Sequence, residues 1–351
     1  MSAFVFYRLP YAERAWMLKG NAVQLQSCHE LNERQGFVFA PFNITPEQPI
    51  LLIEPFEMSA LPLFLFKQSN ETMMRFFEGK DCRQTVPDAD YATDFASFHD
   101  QLQKGVFQKL VLSRSVVEEP EYWHDYLDLF RMACSYYPRM FVSVVLTEEG
   151  GLWLTATPEL LLEGDGNRWR TTALAGTMKL DGEQLKGEGE HLEWSDKNQR
   201  EQRLVASYIS ECLSRFTSDI QEEGPRSVRA ANLVHLRSDF TFSLPDGNHL
   251  GDLLHELHPT PAVCGLPKRE AFDFILRHER TSRSYYSGFQ GLLNVDTATH
   301  LYVNLRCMEI YEKNYRLYAG GGLLSDSTVE QEWMETEAKL QTMRLLLVHS
   351  S

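Results

Sequence analysis

The period of the apolar residues changes several times along this chain, and each change predicts an element. Between positions 37 and 66, three short apolar runs (37–42, 50–53 and 61–66) alternate with proline and polar breaks, the pattern of strands. From 91 to 104 the apolar positions Phe95, Phe98 and Leu102 recur at helical spacing, and Gly105 predicts the stop. Strand patterns follow at 110–117, 141–146, 151–155 and 168–173. A helix is predicted over 197–216, because Leu204, Val205, Tyr208, Ile209, Cys212, Leu213 and Phe216 fall on one stripe. Glu201 then sits at the inward edge of that stripe, in the first turn. Pro267 is suited to a first helical turn and opens another helix to about Arg277, after which strands are predicted at 288–294, 301–311 and 315–319.

The last helix has the clearest signature. Ser327 with Glu330 three residues on forms a capping box, so the helix is predicted to start there and to reach about Leu347. Trp333, Thr336, Leu340, Met343 and Leu347 then form a buried stripe, and Glu332, Glu335 and Lys339 share the neighbouring face. Strand-rich runs interrupted by helices predict an α+β fold of large antiparallel sheets packed together, with helices on the outside. Residues 1–100 carry no motif, whereas 101–351 hold every candidate for chemistry, and the two are expected to form one compact domain.

Composition narrows the partners. With 351 residues, 43% hydrophobic and 24% charged, the chain has the make-up of a globular protein with a large core. A net charge of -15 argues against nucleic acid, which needs a basic footprint. The same charge repels an anionic ligand, so local cations or a divalent ion must gather one. Six cysteines (Cys28, Cys82, Cys134, Cys212, Cys264 and Cys307) show no C-x-x-C pair, which predicts reduced thiols, an intracellular setting and no zinc. The first residues lack a basic region followed by an apolar one, and no apolar run reaches membrane-spanning length, so the expectation is a cytoplasmic protein without a membrane partner, monomeric or homodimeric.

Several groups could carry chemistry, and each also has a plainer reading. Gly320-Gly-Gly322 lets backbone amides approach a carboxylate or phosphate, or is only a turn. The acidic face of the last helix is either a ligand site or a solvated, ion-paired surface. Glu201 near a helix start either binds a ligand or complements the dipole. Lys109 at a strand start is a general base if buried, or snorkels to water. Glu159 leads into the apolar triplet Leu160-Leu-Leu162, where desolvation raises its pKa and makes it a usable general acid. His258, next to Pro259, lies outside regular helix, and Arg306 on the strand 301–311 either forks a carboxylate or faces solvent.

Five segments carry these groups in order: Lys109-Leu-Val-Leu-Ser-Arg114, Ala156-Thr-Pro-Glu159, Leu174-Ala-Gly-Thr177, Leu257-His-Pro-Thr-Pro-Ala262, and Gly320-Gly-Gly322 followed by Glu332-Trp-Met-Glu335. From about Gly105 onward their order and spacing resemble the chorismate-utilising enzymes, and within that group most closely the isochorismate synthases. The resemblance implies the fold of that group, chorismate as substrate, and magnesium held by Glu201 and Glu335, with Glu332 as a third acidic position. It implies Lys109 as general base and Glu159 as general acid. Ala175, Gly176, Thr177, His258, Arg306, Gly320, Gly321, Gly322 and Lys339 are the implied substrate contacts. Aminodeoxychorismate synthases typically carry an attacking lysine where this chain has Ala175, and anthranilate synthases lack the lysine found here at 109, so water is the expected nucleophile and isochorismate the expected product. Compact length favours menaquinone biosynthesis over a siderophore. The chain departs from the family at Gln202, usually histidine, and at Asn198, sometimes acidic. A salicylate synthase, which goes on to eliminate pyruvate, and a chorismate-binding protein without chemistry are the alternatives.

Overall fold

A computed structural model describes residues 2–62, 87–120, 123–179, 192–230, 233–244 and 249–348. Its strands, in chain order, are β1 (Ser2–Arg8), β2 (Arg14–Leu25), β3 (Gly36–Ala40), β4 (Ile50–Pro62), β5 (Lys109–Glu118), β6 (Phe141–Thr147), β7 (Gly151–Thr157), β8 (Leu160–Asp165), β9 (Arg168–Lys179), β10 (Ile220–Ala230), β11 (Leu233–Ser243), β12 (Gly265–Leu266), β13 (Phe289–Val295), β14 (Ala298–Val303), β15 (Cys307–Ile310) and β16 (Tyr315–Leu323). The α-helices are α1 (Ala89–Gln103), α2 (Tyr126–Tyr136), α3 (Asp196–Ser214), α4 (Leu250–Leu257), α5 (Lys268–His278) and α6 (Val329–Arg344). The strands form one hydrogen-bonded sheet in the order β10-β11-β9-β8-β14-β13-β3-β4-β2-β1-β6-β7-β15-β16-β5-β12.

That sheet doubles over, so that two halves pack face to face with helices outside. The inner layer is aromatic: Phe141 of β6 stacks on Tyr302 of β14 at 4.5 Å, joining strands far apart in the order, and Phe39 of β3 stacks at 4.0 Å on Tyr285 in the turn before β13. Successive residues of one strand therefore enter different cores. Phe37 and Phe39 of β3 join the inner layer with Trp153 and Tyr318, whereas Val38 joins the outer core under α3 and α4. On the other half, Leu154 and Ala156 of β7 pack outward with α2 residues, and Trp153 packs inward. Strands buried on both faces read as continuous apolar runs. The expected sheet-on-sheet packing with outer helices is present, built from one continuous sheet rather than separate ones.

The residues without motifs lie at its centre. β1 sits between β2 and β6, and β3 between β4 and β13. The apolar runs at 50–53 and 61–66 belong, as far as Pro62, to the single strand β4, and residues 63–66 lie outside the described residues. Three other expectations are corrected. The strand expected over 301–311 breaks between Val303 and Cys307: β14 pairs with β8 and β13, and β15 with β7 and β16. The last helix is capped one residue later, by Thr328 accepting from Gln331 N, because Ser327 Oγ instead accepts from Leu324 N and donates to Glu332. α3 begins at Asp196, capped by Ser195, so Glu201 falls in the second turn rather than the first, where the dipole matters less. Five cysteines are buried free thiols, and Cys82 lies outside the described residues. Among the described residues, no helix is long and apolar enough to cross a membrane.

Candidate active site

The site begins with the pairing of β5 and β16, whose register sets Gly320, Gly321 and Gly322 opposite Ser113, Leu112 and Val111. The three glycines stand in regular extended strand rather than in the alternating-handed turn of an anion-binding nest. Their contribution is space. A Cβ at 322 would lie 2.1 Å from Glu201 Oε1 and 3.0 Å from Lys109 Cε, one at 321 would lie 2.9 Å from Glu332 Oε2, and one at 320 would lie 2.8 Å from the Tyr286 hydroxyl. Glycine here lets charged side chains close on the backbone from both faces of the strand.

Lys109, the first residue of β5, is fully buried, with Nζ 2.9 Å from Glu201 Oε1. This is an ion-pair contact whose angles do not make it a hydrogen bond. Glu159 lies between β7 and β8 and is buried. Burial pushes its carboxyl up to about 7, against the opposing pull of Lys109, Arg306 and Lys339. Glu159 lines a cavity with Val111, Leu174, Ala175, Gly176, Thr177, Glu201, His235, Ala262, Val263, Tyr286, Arg306, Gly320, Gly322 and Lys339, and the buried amine of Lys109, which does not itself line it, lies against Glu201, which does. The free volume is only about 40 Å³, room for a few waters. A larger surface cavity of about 760 Å³, lined by Trp169 and Phe242, gathers no comparable set of buried titratable groups.

Three lysines hold the three glutamates. Lys197 contacts Glu332, Lys339 Nζ lies 2.6 Å from Glu335 Oε1, and Lys109 meets Glu201. Burial, then the neighbouring Glu335, raise Glu332 to about 7 against Lys197 and Ser327. Burial also acts to raise Glu335, but Lys339 overcomes it and holds the carboxyl below its usual value. Lys339 also donates to Gly320 O at 2.8 Å, across the free edge of β16.

On β9, Gly176 (φ +70) is the extra residue of a bulge, since His235 pairs with Thr177 and Leu236 with Ala175. Ala175 N donates to Gln202 Oε1 at 3.0 Å, and Gln202 Nε2 donates to Ala173 O and Ser238 Oγ. The glutamine found where the family has histidine therefore anchors this bulge to α3. The Thr177 hydroxyl bonds Glu335 and lies 3.3 Å from His235 Nδ1. Arg306, in the gap between β14 and β15, adopts φ +48, is buried, and has its carbonyl held by Ala156 N at 3.0 Å. Its side chain reaches the cavity because the strand is interrupted there.

Two sequence expectations change. His258 does not line the cavity: Nε2 lies 3.0 Å from Pro41 O, its ring packs edge-on against Phe289, and burial holds it neutral, down to about 3. The His-Pro-Thr-Pro segment contributes Ala262 and Val263 instead. Conversely, sequence reasoning missed His235 and Tyr286, which do line it. The signal for His235 was a histidine enclosed in the apolar strand run Leu233–Leu236, where a polar ring must find partners.

A magnesium site fits these residues by chemistry rather than by a ready cluster. Carboxylate oxygens suit the ion, which takes one or two protein carboxylates and keeps water and ligand for the rest. Glu332 Oε2 is moreover a buried oxygen without a hydrogen-bond partner. Among the described residues, no three acidic, histidine or cysteine groups stand together as a metal cluster. Glu201 approaches β16 from the Gly322 face, and Glu332 and Glu335 from the Gly321 face.

Comparison with known proteins supplies the lineage. Over 199 residues the chain is 39% identical to the isochorismate synthase MenF of Escherichia coli K12, covering 56% of this chain and 45% of that one. Over 264 residues it is 30% identical to the isochorismate synthase DhbC of Bacillus subtilis 168, covering 72% and 66%. The matched region thus spans about half the length of such relatives, 45% of one and 51% of another. The solved structure of the menaquinone-specific isochorismate synthase MenF from E. coli superposes with a TM-score of 0.78 at 24% identity, over 99% of this chain and 89% of that one, which shows a shared fold. The family model described as chorismate binding enzyme matches residues 52–348, so the chain belongs to the chorismate-binding enzymes.

Proposed function

We propose that the protein converts chorismate to isochorismate: water adds at ring position 2 and the hydroxyl leaves from position 4. The observation that carries this reading is the cavity-lining carboxyl of Glu159, raised by burial to about 7, with the buried amine of Lys109 near enough to oppose that rise and set against Glu201 of the same cavity. Lys109 takes a proton from the attacking water, and Glu159 gives its proton to the departing hydroxyl. One C–O bond forms, one breaks, the ring double bond shifts between them, and the atoms of the substrate are conserved. Each proton transfer supplies roughly 10²–10⁴-fold, so positioning must provide the remainder.

Arg306 supplies the fork for the enolpyruvyl carboxylate, a bidentate geometry suited to guanidinium. Lys339 and the Gly320–Gly322 backbone border the ring carboxylate. Magnesium bound by Glu201 and Glu335, with Glu332 beside them, would supply a Lewis-acid hold on that carboxylate. Ala175 in place of a lysine removes the covalent nucleophile, and relatives named isochorismate synthases agree with a water reaction. The E. coli relative's menaquinone specificity extends to this chain as the favoured pathway.

Incubating the purified protein with chorismate and magnesium, then separating the products by chromatography, tests the reading. Isochorismate is the expected product. Salicylate with pyruvate in its place would mean a lyase step follows, and binding without turnover would reduce the protein to a chorismate-binding module.

A further inference from the structure

Arg306 presents an unusual problem. Its guanidinium is buried, yet among the described residues no carboxylate stands within ion-pair distance of it. A buried cation without a counter-ion is costly, and a buried side chain this long needs something to hold its direction. What the structure offers is His235: Arg306 Nη2 lies 3.1 Å from His235 Nε2. The other ring nitrogen, Nδ1, lies 3.2 Å from Gly176 O.

Donor and acceptor rules permit only one arrangement. A guanidinium has N–H donors and no acceptor, so Nε2 must offer its lone pair. A carbonyl only accepts, so Nδ1 must carry the hydrogen. Imidazolium satisfies neither demand at Nε2, and it would set two cations side by side. We propose that His235, as the tautomer protonated at Nδ1, is the positioning residue for Arg306: it accepts from the guanidinium at Nε2, and the Gly176 carbonyl fixes the plane of its ring. Burial, then Arg306 and Lys339, hold this imidazole well below the usual histidine range, in keeping with a ring that never charges.

The Gly176 bulge thereby gains a purpose beyond touching a ligand. Its positive φ turns the carbonyl to His235, and a Cβ there would meet Asn198 at 3.1 Å. Thr177, 3.3 Å from Nδ1, also hydrogen-bonds Glu335. One short relay thus joins Arg306, which lines the cavity, through His235 and Thr177 to Glu335. Removing the imidazole leaves Arg306 without its acceptor, and the fork loses its aim. The kinetic part of this inference rests on the reading above that Arg306 receives a substrate carboxylate; the structural part does not.

The test has two arms. Histidine-¹⁵N NMR of the metal-free protein, with the His235 signals identified by their loss in H235Q or their shift in R306Q, is expected to show a neutral ring protonated at Nδ1, even where exposed histidines have charged. A ring protonated at Nε2, or an imidazolium, overturns the proposal whether or not chorismate proves to be the substrate. In the second arm, glutamine keeps an acceptor at the Nε2 position and leucine does not. H235L is expected to raise KM for chorismate about 10- to 100-fold with a smaller loss in kcat, and H235Q to recover most of it, as for loss of a hydrogen bond to a charged group. Equal defects in both variants, or a defect confined to kcat, overturn the positioning role. Absence of turnover by the unaltered protein would instead count against the isochorismate reading and leave the NMR arm to decide the inference.

Discussion

Glu159 ties chemistry and stability to the same proton. Its ordinary value of 4.5 is raised to about 7 by burial, so below pH 4.5 the group costs nothing, and between these two values the unfolded chain ionises while the folded one resists. The contribution of Glu159 to stability therefore falls as pH rises from about 4.5 to 7, by on the order of 3 kcal/mol in all. E159Q, permanently neutral and nearly the same shape, is expected to melt higher than the parent at pH 8 and at the same temperature at about pH 4.5. A parent-like melting point at pH 8 would mean the carboxyl is not desolvated. The same substitution removes the proposed proton donor, so turnover is expected to fall by roughly 10²–10⁴-fold with binding retained. In the parent, the acid limb of activity is lost as pH rises through about 7. Lys109, Glu159 and Glu335 stood out in sequence as candidates because ordered motifs carry them, and the structure buries Lys109 and Glu159. His258 misled because its neighbours in sequence line the cavity while its own ring turns to Pro41 O. The apolar run around His235 marked a ring in need of partners but not which ones, because those depend on β11 meeting the bulge of β9, a pairing between residues distant in sequence.

At the scale of elements, β16 and α6 act together. The strand's glycines leave room into which α3 and α6 press their carboxylates, so a single methyl group is a sensitive probe. In G322A the added carbon meets Glu201 Oε1 at 2.1 Å and Lys109 Cε at 3.0 Å, so the Glu201 carboxylate must withdraw. The expected result is magnesium affinity weakened at least about tenfold by calorimetry, the scale for displacing a group that supports a metal, with the fold kept because the strand's φ and ψ suit alanine. Unchanged affinity would remove Glu201 from the metal site. The ion pairs that fill the cavity also bear on binding: about 40 Å³ does not admit a ring with two carboxylates, so Lys109–Glu201 and Lys339–Glu335 must open as a ligand enters. Helices were the most legible elements, since α1, α3 and α5 each present one apolar stripe to one core, and the stripe of α6 runs from one core at Trp333 to another at Leu340 and Met343. Strands such as β3 present opposite faces to two cores, so they were read from continuous apolar runs rather than from alternation, and the runs do not say which face meets which core. The break at Arg306 was unreadable because β14 and β15 are both apolar and only their different partners separate them.

The whole molecule opposes its own ligand. With 49 acidic against 34 basic side chains, the protein repels a dianion at long range, while Lys109, Arg306 and Lys339 attract it only once it is near. Salt screens the two terms unequally, because the surface charges act across water over about a Debye length of 10 Å at 0.1 M, whereas the buried cations are screened far less. Raising ionic strength from low values with an inert salt, at saturating magnesium, is therefore expected to increase kcat/KM for chorismate while kcat stays nearly constant. Measuring both at matched free magnesium separates this from metal binding, which salt would weaken. A steady fall of kcat/KM with salt would show instead that cations at the mouth of the cavity dominate the approach. The doubled sheet places the candidate cavity beside its inner, aromatic layer, so Arg306 and Lys339 are enclosed by low-dielectric walls, and such enclosure would let them hold the proposed anion in a molecule whose net charge is -15.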